Sequence, residues 1–174
     1  MVQQCSAAGV GIIADVVLNQ TTGADVAAGD QKGVAGSEYN GSTGSYPGFA
    51  TKQYPDGITA ADFHSCTKNI SDYTNQKEVQ ECRLSSMWDF NSESEKVQDI
   101  QSDYLASLWN AGVRGFRMDA VKHIHTDSMK AIKEKFAKKI GKNANDIYWI
   151  QEVIGNASEA AGIPAEQFTC RTAP

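Results

Sequence analysis

Apolar residues recur along the chain with two different periods, which predict strands that alternate with helices. Residues 10–19 form an apolar, β-branched run with glycine on both sides, which predicts a buried strand. Residues 1–8 before it predict the end of a helix that stops at Gly9. Shorter apolar runs at 113–120 and 147–154 predict two further strands.

Between the later predicted strands, apolar residues recur at helical spacing. Ser92 and Glu95 have the spacing of a capping box and predict a helix that ends at Gly112. A second apolar stripe at helical spacing ends at Gly141, and residues 157–161 predict the start of another helix. Strands that alternate with helices predict parallel pairing with right-handed crossovers, in a doubly wound sheet or a (β/α)8 barrel.

The region between the first predicted strand and helix has a different character. Residues 20–90 are rich in Gly, Ser, Thr, Asp and Asn, with turn signals at 41–48 and 54–57. A disordered linker would be poor in aromatic residues. This region instead contains a cysteine pair and several aromatic residues: Tyr39, Tyr46, Phe49, Tyr54, Phe63 and Tyr73. We therefore expect a small, irregular, folded excursion.

Composition excludes several classes of function. The net charge of −5 gives no positive field for a phosphate backbone, so nucleic acid is not an expected partner. No apolar run is long enough for a membrane-spanning helix, and no signal peptide is visible at the N-terminus. Glycine-rich phosphate-binding motifs are missing after the predicted strands, so nucleotide binding has no support.

Four cysteines leave several possibilities open. They allow three pairings as two disulfides, or four free thiols in a cytosolic protein. Cys66 and Cys82 enclose a short polar stretch, and closing such a loop would stabilise the fold by roughly 3 kcal/mol. Zinc is disfavoured, because no C-x-x-C pair exists and the histidines do not cluster with cysteine.

Polar residues follow the apolar part of each predicted strand. Strand alternation places Asp15 and Asn19 on one face of the first strand, and Arg117 and Asp119 on one face of the second. Glu152 ends the third strand. Because α/β folds place active sites at the carboxyl ends of parallel strands, we expect Asn19, Asp119 and Glu152 at one such edge.

Two of these groups have the chemistry of a retaining glycosidase. Neighbouring strands lie about 4.8 Å apart, and such enzymes need two carboxyl groups about 5–5.5 Å apart. Arg117 would keep Asp119 ionised, and the apolar neighbours of Glu152 would suit a general acid. The alternative is a plain ion-pair network of Arg117, Asp119 and Lys122 at the rim of the fold.

Three motifs in order resemble the signatures of the α-amylase family. They are DVVLNQ at 15–20, GFRMDAVKH at 115–123 and QEVI at 151–154, with a long insertion after the first. QEVI and the stretch ECRLSSMWDF at 81–90 resemble the animal and actinobacterial branch. The resemblance extends over nearly the whole chain, to about residue 168.

The resemblance implies an α/β fold, a partial (β/α)8 TIM barrel of about strands 3 to 5. Residues 1–19 and 91–174 would belong to the barrel, and 20–90 to an irregular, β-rich domain B inserted after strand 3. The chain would be an internal part of a longer protein. The family's third catalytic carboxylate has no candidate after Glu152, so we expect this chain alone to expose strand edges and to be inactive or poorly folded.

The resemblance also implies roles for individual residues. Asp119 would be the nucleophile and Glu152 the general acid/base. Further residues would contact the sugar chain, namely Gln20, Tyr73, Arg117, Lys122, His123 and Ile154. Calcium would be bound by the side chains of Asn19 and Asp89 and the carbonyl groups of Gln80 and His123. Arg117 would help to bind chloride, and Cys66 would be bridged to Cys82.

The sequence departs from the family at several positions. Gln20 replaces a histidine that contacts the sugar, and it cannot carry an imidazolium charge, so we expect lower turnover. The family partner of Cys5 would lie upstream, and Cys170 has no counterpart. His64 and His125 have no implied role and are expected at the surface.

The implied function is that of a secreted, monomeric enzyme that cuts internal α-1,4 bonds of starch, glycogen and maltooligosaccharides with retention. One alternative is a related α-glucosidase or transglycosylase. The other is a carbohydrate- or protein-binding domain without catalysis, such as a remnant of the enzyme.

Overall fold

The structure is a computed structural model that describes residues 1–34, 36, 38–43, 58–155 and 163–168. It divides into two compact units, a first unit of Met1–Leu18 with Ser92–Pro174 and a second unit of Asn19–Asn91. Several predictions fall outside the described residues: the turn signals from 44 to 57, the aromatic residues Tyr46, Phe49 and Tyr54, the helix at 157–161, and Cys170.

The described residues contain five α-helices and seven strands. The helices are α1 (Val2–Ala7), α2 (Ala24–Ala27), α3 (Gln76–Glu81), α4 (Glu95–Asn110) and α5 (Thr126–Lys139). The strands are β1 (Ile12–Val16), β2 (Gln20–Gly23), β3 (Asp30–Lys32), β4 (Glu38–Asn40), β5 (Met87–Asp89), β6 (Val113–Met118) and β7 (Tyr148–Gln151).

The first unit is built on a three-stranded sheet in the order β1-β6-β7. Both pairings are parallel, and Arg117 is in register with Asp15 on one side and Ile150 on the other. Helices α4 and α5 lie between the strands in the chain, which agrees with the crossovers that the sequence pattern predicts.

One face of this sheet forms the core of the first unit. Phe116 and Met118 are buried in a cluster with residues of α4 and α5. Phe116 meets Phe136 edge to face at 5.3 Å and stacks on Trp149 at 5.4 Å. The opposite face of the sheet carries Asp15 and Arg117 together with four exposed apolar side chains: Ile13, Val17, Tyr148 and Ile150.

The predicted capping box at Ser92 is wrong. Helix α4 begins at Glu95 after Ser94, whose side chain makes no capping hydrogen bond. Ser92 is buried, and its hydroxyl accepts a hydrogen bond from Gln101 at 2.8 Å. Gln101 also donates to the Leu18 carbonyl at 3.0 Å, so this side chain of α4 links Ser92 to the end of the first chain segment.

The second unit contains two small antiparallel sheets, β2 with β5 and β3 with β4. A disulfide joins Cys66 to Cys82, whose Cα atoms lie 4.9 Å apart. Phe63 stacks on Phe90 at 4.6 Å, which gives this irregular region a small aromatic core. The limits of the two units differ by one residue from the predicted domain boundaries.

Neither a membrane-spanning helix nor a disulfide at Cys5 is found among the described residues. None of the helices there combines the length and the apolar character that a bilayer crossing requires. Cys5 is a free thiol in the same part of the chain.

Candidate active site

One guanidinium group gathers three carboxylates at the end of the parallel sheet. Arg117 Nη1 lies 2.7 Å from Asp119 Oδ1 and 2.7 Å from Asp15 Oδ1. Arg117 Nη2 lies 2.8 Å from Glu152 Oε1. The structure therefore brings together Arg117, Asp119 and Glu152, which the sequence singled out, and adds Asp15.

Backbone hydrogen bonds continue the parallel ladder past the strand ends and hold both carboxylates at the same edge. The Asp119 N–H donates to the Val16 carbonyl at 2.9 Å, and the Glu152 N–H donates to the Met118 carbonyl at 3.0 Å. Ala120 adopts a left-handed turn with φ of 48°, and its N–H donates to Glu152 Oε2 at 2.8 Å. Both carboxylate oxygens of Glu152 are therefore held by hydrogen-bond donors, Oε1 by Arg117 and Oε2 by the Ala120 N–H.

The charges of this cluster are unbalanced. Hydrogen bonds from Arg117 to Asp119 and then to Asp15 raise the pKa of the guanidinium further above its usual value, so it stays protonated. Three carboxyl groups face this single guanidinium. The expected apolar setting of Glu152 is wrong, since its oxygens contact a guanidinium and an N–H.

This charge balance does not fit a chloride ion at Arg117. The contacts of the guanidinium among the described residues are with carboxylates, which repel an anion. Chloride binding stays a prediction without support from these contacts, and we derive no step through it.

Three other predicted sugar-binding residues lie near the end of the same sheet. Lys122 is buried, and its Nζ donates to the Ile154 carbonyl at 2.7 Å. His123 is also buried, whereas the Ile154 side chain is exposed. Lys122 therefore fixes the segment after β7. Among these three residues, Ile154 has the solvent-exposed side chain.

The second unit contains a buried polar cluster around Asp89. Asn19 and Asp89 are 1% and 3% exposed, and Gln80 on α3 of the same unit is also buried, at 1%. The Asn19 amide donates to Asp89 Oδ1, and His64 Nδ1 lies 2.6 Å from Asp89 Oδ2. The Phe90 N–H also donates to the Asn19 carbonyl at 2.9 Å, so β5 is tied to the start of β2.

The expected surface position of His64 is wrong. Its side chain is 10% exposed, and its N–H bonds to the Asp89 carbonyl at 2.9 Å, so backbone and ring contact the same residue. The two residues are 25 positions apart in an irregular region, where periodicity gives no register. His125 is partly buried and pairs with Glu93 at 2.7 Å.

The buried oxygen groups of this cluster fit a hard cation. The described residues contain no group of three or more His, Cys, Asp or Glu that could hold a metal ion. Calcium, however, also accepts amide and carbonyl oxygens, and a buried carboxylate gains from a nearby cation. Asn19, Gln80 and Asp89 meet this requirement, whereas His123 belongs to the first unit.

Gln20 and Tyr73 have opposite environments in the second unit. Gln20 is buried, and its carboxamide has no hydrogen-bond partner among the described residues. Leaving such a group unpaired costs about 1–3 kcal/mol, so a water or ligand is expected beside it. Tyr73 is 36% exposed, as a residue that stacks on a ligand requires.

Comparison with known proteins identifies the family of the chain. The family model for the alpha-amylase catalytic domain matches residues 1–166. The chain belongs to this family. Within the family, the alpha-amylase of Dermatophagoides pteronyssinus is 43% identical over 138 residues, which are 76% of this chain and 26% of that protein. The alpha-amylase of Thermomonospora curvata is 36% identical over 93% of this chain and 25% of that protein.

A solved structure from the family matches the fold. Alpha-amylase I of Eisenia fetida superposes with a TM-score of 0.78 and 30% identity, over 96% of this chain and 33% of that one. A mutant of the same enzyme was solved in complex with maltohexaose. The fold is therefore that of a TIM-barrel glycoside hydrolase, and this chain spans about a quarter of the length of the curated relatives it matches.

Proposed function

We propose that this chain is part of an α-amylase that hydrolyses internal α-1,4-glucosidic bonds in starch and glycogen with retention of configuration. The observation that carries the proposal is that Asp119 and Glu152 are held by one guanidinium at the ends of neighbouring parallel strands. Two carboxyl groups within the reach of one sugar linkage are what the double-displacement reaction requires.

The reaction divides between the two carboxyl groups. Glu152, when protonated, gives its proton to the glycosidic oxygen while an Asp119 oxygen attacks the anomeric carbon and the bond to the leaving sugar breaks. The product is a glycosyl ester on Asp119. Glu152 then takes a proton from a water molecule, whose oxygen attacks the same carbon and releases Asp119.

Arg117 has a positioning role in this scheme. Because it contacts Asp119 and Glu152 through its two Nη atoms, it sets their spacing and places a positive charge beside Asp119. Its contact with Asp15 on β1 fixes the guanidinium from the neighbouring strand.

The sugar contacts remain proposals. The maltohexaose complex of the Eisenia fetida enzyme shows that a relative binds such a chain. In this chain we assign sugar contact to the residues that the resemblance implies, Gln20, Tyr73, Arg117, Lys122, His123 and Ile154. The unpaired Gln20 carboxamide and the exposed Tyr73 and Ile154 support this assignment most directly.

We also propose that the second unit binds calcium through Asn19, Asp89 and the carbonyl group of Gln80; the carbonyl group of His123 stays a prediction from the family resemblance. A bound cation supplies positive charge to the buried Asp89 carboxylate and cross-links the segments that carry its ligands. His64 acts on this site through Asp89, because its ring hydrogen bond fixes one carboxylate oxygen.

Secretion and a monomeric state complete the proposal. The Cys66–Cys82 disulfide supports an oxidising, extracellular location. Recovery of the full-length protein from the culture medium tests secretion, and size-exclusion chromatography of that protein tests the monomeric state.

The decisive test uses the longest open reading frame that contains these residues. The purified protein should cut maltooligosaccharides whose non-reducing end is blocked, and NMR should show products with the α configuration. Cleavage of unblocked substrates alone would point to an α-glucosidase. Products of the β configuration, or no cleavage of any α-glucan, would refute the proposal.

A further inference from the structure

The segment between the two bridged cysteines forms a closed loop in the second unit. It leaves Cys66 through Lys68–Ile70, turns at Ser71–Asn75 and returns along α3 to Cys82. Two backbone hydrogen bonds close its base, from Ile70 to the Arg83 carbonyl at 2.9 Å and from Arg83 to the Lys68 carbonyl at 3.0 Å. Tyr73 lies in the turn.

Glu78 reaches from the first turn of α3 back into this loop. Its side chain is 9% exposed, and it lies in a helix of six residues. Oε1 accepts hydrogen bonds from the Ser71 N–H at 2.6 Å, the Ser71 hydroxyl at 2.8 Å and the Asp72 N–H at 3.2 Å. Oε2 pairs with Lys68 Nζ at 3.0 Å.

These contacts do not serve the helix. A Glu at this position of a capping box would bond the N–H of the N-cap residue, which here is Asn75. Asn75 already caps α3 by accepting from the Glu78 N–H at 3.2 Å. The Glu78 side chain extends beyond the cap to Ser71 and Asp72, so it stabilises the loop.

The backbone is fixed on both sides of Tyr73. Before it, Ser71 and Asp72 are held by Glu78. After it, Asp72 Oδ1 accepts from the Thr74 N–H at 2.9 Å and the Thr74 hydroxyl at 2.6 Å. The Tyr73 side chain remains partly exposed. The loop therefore holds an aromatic ring at the surface with little backbone freedom, which lowers the entropy cost of stacking on a ligand.

We propose that Glu78 is the positioning residue that presents Tyr73 to the sugar chain. The proposal rests on the proposed function, because it takes the glucan as the ligand of Tyr73. The hydrogen bonds from the Ser71 and Asp72 N–H groups and the ion pair with Lys68 hold the Glu78 side chain against the turn that carries Tyr73.

The test measures KM and kcat on maltooligosaccharides in the full-length protein that contains this chain. Glu78→Gln keeps the size of the side chain but weakens its hold on the N–H groups and on Lys68. We expect KM to rise about threefold to tenfold for both Glu78→Gln and Tyr73→Ala, with kcat nearly unchanged. The double variant should be no worse than Tyr73→Ala, because both changes remove the same contact.

One further variant serves as a control, and another replaces Glu78→Gln if that variant does not fold. Glu81→Gln is the matched control, since Glu81 lies on the same helix and pairs with Lys77 at 3.7 Å away from the Ser71 turn. Its KM should equal that of the wild type. Ser71→Ala removes a single contact of Glu78 and should raise KM in the same direction, to a smaller extent, if Glu78→Gln does not fold.

The outcomes separate the two proposals. A lower melting temperature for Glu78→Gln with an unchanged KM, or additive effects in the double variant, would overturn the positioning role. An active wild type whose KM is unaffected by Tyr73→Ala would overturn it as well, while the hydrolase function would stand. A wild type that neither cleaves nor binds maltohexaose would overturn both.

Discussion

In the first unit, Arg117 and three carboxylates lie on an exposed face of the sheet, whereas in the second unit the carboxylates of Asp89 and Glu78 are buried. Arg117 and its three carboxylate partners keep a quarter or more of their side chains exposed. Asp89 and Glu78 are buried under 10% exposure and contact hydrogen-bond donors. Exposed carboxylates can meet a substrate, whereas buried ones hold segments of chain or a cation.

The two units also differ in what stabilises them. The first has a continuous apolar core between the parallel sheet and α4 and α5. The second has short strands, a small aromatic cluster, a disulfide and buried polar contacts. The second unit should therefore respond more strongly to changes in redox state, calcium and pH.

Replacing the nucleophile should have the largest effect. Asp119→Asn should lower kcat by roughly 10⁴-fold or more, because a carboxamide cannot form the glycosyl ester. Steady-state assays on a full-length form would measure it. Asp103→Asn is the control, since Asp103 pairs with Lys139 on the helix side of the same unit and should leave kcat unchanged. Equal losses in both variants would remove Asp119 from the mechanism.

Removing the disulfide should affect the second unit next. Cys66→Ser with Cys82→Ser should cost about 3 kcal/mol of unfolding free energy, because a closed loop is released in the unfolded state. Urea unfolding, with proteolysis to locate the loosened region, would measure it. Cys5→Ser, in the first unit, should change little. First cleavage by the protease within the first unit would contradict the comparison.

Removing the partner of the buried carboxylate should weaken calcium binding. His64→Ala frees one oxygen of Asp89 to turn, and we expect a loss of about 10- to 100-fold in affinity. Competition with a chelator, followed by calorimetry, would measure it. His125→Ala, whose ring pairs with Glu93 in the first unit, should bind calcium normally. Equal affinities for all three proteins would exclude a role of His64.

Low pH should remove the contribution of Glu78 to the free energy of unfolding. Its pKa falls from the usual 4.5 to about 2 in the folded chain, chiefly through the Ser71 N–H, so its stabilisation is complete above the unfolded pKa. As the pH drops below about 4.5, the stability gap between wild type and Glu78→Gln should shrink and vanish near pH 2. Urea midpoints across this range would measure the gap, and a constant gap would contradict the effect.

Periodicity predicted the first unit more completely than the second. The three runs at 10–19, 113–120 and 147–154 became β1, β6 and β7 in parallel, and the stop signals at Gly112 and Gly141 follow α4 and α5. Local spacing was less reliable at the start of α4, where Ser92 satisfies Gln101 instead of capping the helix. A buried partner nine residues along the chain thus overrides the local preference of this side chain.

The residues of the candidate site also fall into two groups: those that local sequence patterns predict and those that only the tertiary structure brings together. Sequence motifs singled out Asp119, Glu152 and Arg117, because strand alternation and strand ends are local properties. The contact of Asp15 with Arg117 joins residues 102 positions apart and depends on the register of β1 against β6. Glu152 has apolar neighbours in the sequence, but its oxygens contact a guanidinium and a backbone N–H.

The sequence by itself determined the family, the order of strands and helices, and the residue types that chemistry at the strand ends requires. Tertiary structure decided which charges meet: Asp15 with Arg117, His64 with Asp89, and Glu78 with the loop of Tyr73. The physical reason is that the hydrophobic periodicity of a helix or strand can be recognised within a short stretch of sequence. The partner of a charged or polar side chain depends instead on which distant segments the fold brings within hydrogen-bond distance.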